Sequence, residues 1–100
     1  MSRFDHTAID DVIHGRLRLG MMAYLSTVSP APFVELKAKV NATDGNLSTH
    51  LSKLEEAGYV RLEKTFSGKK PLTLVHLTKQ GRAAWIEYLT RIQTLISAAE

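Results

Sequence analysis

One hundred residues leave room for one folded unit of ordinary size and none for a second. Hydrophobic residues make up 44% of the chain and charged residues 23%, a balance that excludes a disordered or fibrous protein. There is no cysteine, which removes disulfides, thiolate metal sites and cysteine nucleophiles from consideration. The longest apolar run, Leu19-Gly20-Met21-Met22-Ala23-Tyr24-Leu25, falls far short of the roughly 18 residues that suggest a membrane span. The opening residues, 1–6, lead into no apolar segment of the secretory kind, so a cytoplasmic protein without membrane contact is expected.

The formal net charge is +3, but it is unevenly placed. Residues 61–82 hold Arg61, Lys64, Lys69, Lys70, Lys79 and Arg82 against Glu63 alone, a local net of +5. Such density marks a candidate anion-binding surface. The competing reading is a solvated hairpin whose lysines block edge-to-edge aggregation. Charge alone does not choose between them.

In chain order, Ile9, Val12, Ile13, Leu17, Met21, Tyr24, Leu25 and Val28 recur every three or four residues, which predicts an amphipathic helix over residues 7–28. Thr7 is its expected cap, Asp10 and Asp11 suit its N-terminal end, and Gly15 and Gly20 mark a bend or close packing. Ser29-Pro30-Ala31-Pro32 stops it. A short helix over about 32–40 follows, with Phe33, Leu36 and Val40 inward and Lys37 and Lys39 in solvent. Thr43 is placed to cap a third helix whose Leu47, Leu51 and Leu54 form the buried ridge and which Gly58 ends. The period then changes to that of strands. Residues 59–66 and 72–77, joined by Ser67-Gly68-Lys69-Lys70-Pro71, read as a hairpin. Thr78 is the expected cap of a last helix from about residue 79, with Trp85, Tyr88, Leu89, Ile92, Leu95, Ile96 and Ala99 as its apolar positions.

Helix, short helix, turn, helix, hairpin, helix is the order of a winged helix-turn-helix. The residues sharpen the likeness: Phe33-Val34-Glu35-Leu36, Asp44-Gly45-Asn46-Leu47-Ser48-Thr49-His50-Leu51, Leu54-Glu55-Glu56-Ala57-Gly58-Tyr59-Val60 and Leu77-Thr78-Lys79-Gln80-Gly81-Arg82. The chain resembles the short stand-alone MarR/ArsR-like winged-helix transcription regulators over residues 33–82, with a fitting upstream helix. The resemblance implies a mainly α fold with a small β-hairpin (α+β). Within one domain spanning residues 1–100, it implies a recognition helix over about 43–57, a wing over about 59–77 and a dimerisation helix over about 79–98. It also implies sequence-specific binding of double-stranded DNA by a homodimer, with repression as the expected sign, and no catalysis or cofactor.

A helical wheel supports that use of the third helix. With Leu47 at 0°, the leucines centre near about 10°, while Ser52, Thr49, Lys53 and Asn46 fall at about 140°, 200°, 240° and 260°. Small polar side chains let a helix approach base edges, where Asn, Ser and Thr have partners. The competing reading is an ordinary solvated helix face. The expected DNA contacts are Asn46, Ser48, Thr49, Ser52 and Lys53 on the helix, with Lys64, Lys69 and Lys70 on the wing, whose tip Pro71 would stiffen. Arg61 is a weaker candidate. Glu56, at about 180°, would oppose phosphate, so either only the first two turns enter the groove or Glu56 is paired.

His6, His14, His50 and His76 are not spaced as helical metal ligands, and no metal is expected. His50, at about 300°, borders the packed face, where a phosphate contact is the alternative. No nucleophile elbow or phosphate loop is present. A winged helix used only for protein–protein interaction is the alternative to DNA binding. Larger relatives often bind a small-molecule effector, but no ligand motif is recognisable here. Trp85, Tyr88, Ile92, Leu95 and Ala99, spaced three and four apart and widened by Leu89 and Ile96, predict an association seam between two copies. The alternative is that they fold back onto the protein's own core.

Overall fold

The computed structural model describes residues 5–99; residues 1–4 and 100 lie outside it, and with them most of the segment read for a leader. A 3-10 turn, His6–Ala8, precedes α1 (Arg16–Leu25), β1 (Ala31–Pro32), α2 (Phe33–Lys39), α3 (Asp44–Glu56), β2 (Val60–Ser67), β3 (Lys70–Leu77) and α4 (Lys79–Ala99). The strands form one antiparallel sheet in the order β1-β3-β2. Ile13, Met21, Met22, Leu25, Leu36, Leu47, Leu51, Leu54 and Val75 are fully buried in a single core. This is the α+β winged helix expected. Among the described residues no helix is long and apolar enough to cross a membrane.

The predicted first helix is broken, because a different set of hydrogen bonds wins. Asp5 rather than Thr7 caps the opening turn, accepting from the Thr7 amide. Asp10 then accepts from the amides of Val12 and Ile13 through Oδ1, and its Oδ2 takes the hydroxyl of Tyr59 at 2.6 Å. A carboxylate that serves nearby amides in this way competes with helix formation. Extended backbone at Gly15 delays α1 until Arg16. The apolar residues are still used, with Ile13 in the core and Ile9 and Val12 packed on it.

The local signals around α3 hold. Thr43 accepts from the Asn46 amide, and Gly58, at φ 83°, leaves α3 in the left-handed region that glycine tolerates. The hairpin is tighter than predicted. Ser67 pairs with Lys70 across a two-residue loop, Gly68 and Lys69, and Gly68 takes a positive φ as its first position requires. Pro71 therefore lies in β3 opposite Phe66 rather than in the loop. β1 reaches only Leu74 and Val75, so β3 is an edge at Pro71, where a missing amide is tolerated.

One junction holds α3, the hairpin and α4 together. The Thr78 hydroxyl donates to the Gly58 carbonyl at 2.6 Å and accepts from the Gly81 amide at 2.9 Å. The Thr78 amide donates to the Tyr59 carbonyl. Gly81 passes so close that a Cβ there would stand 2.0 Å from the Tyr59 oxygen. Gly45, in α3, has open space around it. Gly81→Ala is therefore expected to destabilise the fold by about 2 kcal/mol or more, lowering the melting temperature by roughly 10 °C. Gly45→Ala should raise stability by up to about 1 kcal/mol. Calorimetry of the two variants checks the opposite signs.

Tyr59 gives a second test. Its hydrogen bond to the Asp10 carboxylate, helped by burial, pushes the phenol up to about 12 from the ordinary 10.0. The folded state thus keeps a proton that the unfolded chain loses. This stabilisation is complete below pH 10 and disappears as pH rises from 10 to 12. Unfolding of Tyr59→Phe, followed over the same range, should show a smaller alkaline loss than the unaltered protein.

Candidate nucleic-acid interface

α3 owes its position to its three leucines, whose burial turns the opposite face outward. Asn46, Ser48, Thr49, Ser52 and Lys53 are all exposed, as the wheel predicts, and stand together on one helix. A salt bridge of 2.7 Å between Lys37 and Asp44 ties α2 to the start of α3 and compensates the charge of Asp44 there. The turn between the two helices passes through Asn41 at a φ of 52°, a conformation asparagine tolerates.

His50 is not a free cation on this face. Its Nδ1 lies 2.8 Å from a guanidinium nitrogen of Arg18, whose Nε donates to the Val12 carbonyl. Burial first, and then the charges of Arg18 and Lys53, hold the imidazole below its ordinary value. A neutral His50 accepts the Arg18 bond and adds no charge to the exposed face at neutral pH. The Arg18 bond gives His50 a structural role at the edge of this face. Glu56 is exposed and lies in a shallow cleft with Lys53 and Arg18, but it makes no ion pair among the described residues.

The hairpin presents Arg61, Lys64, Lys69 and Lys70, all exposed and without an acidic partner within 4 Å among the described residues. Glu63, the acid nearest to them in sequence, is bound to His76 across the strands at 2.7 Å. His14 bonds to the Tyr88 hydroxyl at 2.9 Å. The described residues hold no cluster of three potential metal ligands.

Two cations escaped the sequence reading. Arg16 opens α1 instead of lying in mid-helix, and it lines a cleft of about 810 Å³ with Tyr24, Lys39, Thr43 and Asn46. Lys39 stands 5.9 Å from the centre of the Tyr24 ring, whose hydroxyl donates to Glu35. A cationic margin thus borders the first turn of α3. Arg16 shares its helix face with Gly20, Ala23, Tyr24 and Thr27, and it is the packing of α1 beside the end of α2 and the start of α3 that makes this face a margin of the site.

On α4 the predicted seam divides. Tyr88 is 4% exposed, stacked 5.8 Å from Trp85 and bonded to His14, so it is taken up within the protein's own core. Trp85 and Ile92 also pack on that core. Leu89 and Ile96 are 47% and 51% exposed, and Ile86, absent from the predicted set, is 59% exposed. Leu95 is half-buried.

A family model described as a winged helix DNA-binding domain matches residues 17–96. An uncharacterized protein of Methanocaldococcus jannaschii is 36% identical over 84 residues, covering 84% of this chain and 91% of its own. Among solved structures, a transcriptional regulator homologue from Pyrococcus horikoshii superposes with a TM-score of 0.83 at 28% identity, over 89% of this chain and 88% of that one. A MarR-family regulator from Silicibacter pomeroyi superposes with a TM-score of 0.65 at 23% identity, over 88% of this chain and 56% of its own length. The chain therefore belongs to the winged helix DNA-binding domain family, has the fold of MarR-like transcriptional regulators, and is a DNA-binding regulator's domain rather than an enzyme.

Proposed function

We propose that the protein is a sequence-specific, double-stranded-DNA-binding transcriptional repressor that acts as a homodimer in the cytoplasm. In this reading residues 1–100 form one winged-helix domain, with residues 43–57 as recognition helix, 59–77 as wing and 79–98 as dimerisation helix. The observation that carries it is the exposed polar face of α3, opposite three buried leucines and followed by a hairpin with unpaired lysines at its tip. Asn46, Ser48, Thr49 and Ser52 meet base edges in the major groove, and Lys53 meets the backbone at its margin. Lys64, Lys69 and Lys70 meet phosphates, with Arg16 and Lys39 as additional contacts beside Asn46. The part of α3 from Asp44 to Ser52 enters the groove, and Glu56, about one turn farther along, stays away from phosphate. A module used purely for protein contacts has no need of these cations.

Duplex binding at several salt concentrations tests this. Lys69→Ala with Lys70→Ala should weaken specific and random duplexes alike and reduce the salt slope by about 2. Thr49→Ala or Ser52→Ala should instead alter the sequence selected from a random pool, at a cost of about 1–3 kcal/mol per lost base contact. Unchanged binding in the lysine variant together with unchanged selection in the helix variants contradicts the proposal.

The exposed stripe of Ile86, Leu89 and Ile96, with Leu95 beside it, supports association through α4. Trp85 and Ile92 serve as its inner margin. Such a two-fold dimer presents two copies of α3 to half-sites about one DNA turn apart. Sedimentation equilibrium at micromolar protein should give twice the 11.1 kDa chain mass, and Leu89→Glu with Ile96→Glu should return the monomer.

A further inference from the structure

Phe66 has no role in phosphate contact, yet it is 69% exposed, more than any other large hydrophobic side chain among the described residues. It stands opposite Pro71, next to the pair that closes the hairpin loop. Alternate residues of a strand share a face. Phe66 and Pro71 therefore continue the face that carries Val60, Leu62 and Val75 at the base of the hairpin. At the base that face joins the core, where β2 packs against α3. Beyond Leu62 the face runs out past the core through Lys64 and Thr73 to Phe66 and Pro71.

The surroundings select what covers this apolar pair. Lys64 lies on the same face, Lys69 and Lys70 form the tip, and no acidic residue occurs from Lys64 to Lys70. An apolar protein surface would have to bury three unpaired ammonium groups to reach Phe66. A nucleic-acid groove meets both demands, because its walls carry phosphates and its floor offers sugar and base surfaces. Apolar side chains entering the minor groove commonly wedge against a base step.

We infer that Phe66, backed by Pro71, is a specificity-determining wedge. Its ring enters the minor groove beside the major groove that α3 occupies and presses on one base step. The wing thereby favours steps that unstack readily, the pyrimidine–purine steps, without hydrogen-bonding to any base. This rests on the DNA-binding reading above.

The test uses the full chain and duplexes that share the site selected by the unaltered protein. They differ only in the flanking step beneath the wing, which is either pyrimidine–purine or part of a stiff A-tract. Affinity is measured by titration, and bending by energy transfer between the duplex ends. The unaltered protein should favour the flexible step by about tenfold and bend it. Phe66→Ala should lose the preference and the bend while keeping the melting temperature and the salt slope. Lys69→Ala with Lys70→Ala should keep the preference and lose slope. Equal affinity of the unaltered protein for both flanks overturns the wedge, as does a preference that survives in Phe66→Ala. A change in sedimentation mass of Phe66→Ala with preference intact also overturns it, and assigns the ring to a protein contact. Failure of the unaltered protein to select or bind any duplex overturns the DNA-binding reading itself, a result distinguishable from the others.

Discussion

The arrangement of the whole molecule depends on the hydrogen bonds that converge on Thr78. One side chain joins the end of α3, through the Gly58 carbonyl, to the first turn of α4, through the Gly81 amide. Its backbone closes the base of the hairpin through the Tyr59 carbonyl. Glycine at 81 is the condition for this, since any Cβ would collide with the Tyr59 oxygen. The angle at which the hairpin leaves α3, and hence the position of Lys69 and Lys70 relative to the exposed face of α3, is set here and not at the tip.

The site divides its chemistry between two surfaces. From Asn46 to Lys53 the exposed face of α3 offers small neutral groups with one lysine, and its histidine is held neutral against Arg18. The hairpin offers charge, with its acid hydrogen-bonded to His76 across the strands. Long-range attraction is thus concentrated on a projecting ribbon, while the surface that needs close approach stays short and nearly uncharged. Charged contacts of this kind supply affinity and register, and base contacts supply discrimination.

What was legible in the sequence was what neighbouring residues decide. Thr43, Gly58 and, in its capping of α4, Thr78 act within a few residues of themselves, and the three leucines of α3 fix its outward face by periodicity alone. What was not legible depends on partners far along the chain. The first helix has the right period but yields to Asp10, whose second oxygen is engaged by Tyr59, 49 residues away. β1 spans two residues, one of them proline, and exists only because β3 lies beside it. Arg16 and Lys39 come together at the margin of α3 only because α1 and α2 pack beside its first turn. The stripe on α4 and the inward turn of its early part around Trp85 and Tyr88 follow from its spacing and the small size of the core. The exposure of Leu89 and the bond from His14 to Tyr88 depend instead on the irregular segment before α1.

That last bond gives α4 the mechanics of a lever. The helix is held at Tyr88, with Ile92 packed on the core one turn farther, and continues to Ala99, about 16 Å from Tyr88 along its axis, with none of its residues after Tyr88 fully buried. A tilt of about 10° at the pin carries the far end by about 3 Å. The pin's partner belongs to the segment that Asp10 clips to Tyr59, at the root of the hairpin. The root of the hairpin and the middle of α4 are thus tied to one and the same short segment, while the last turns of α4 are tied to nothing within the described residues that is fully buried.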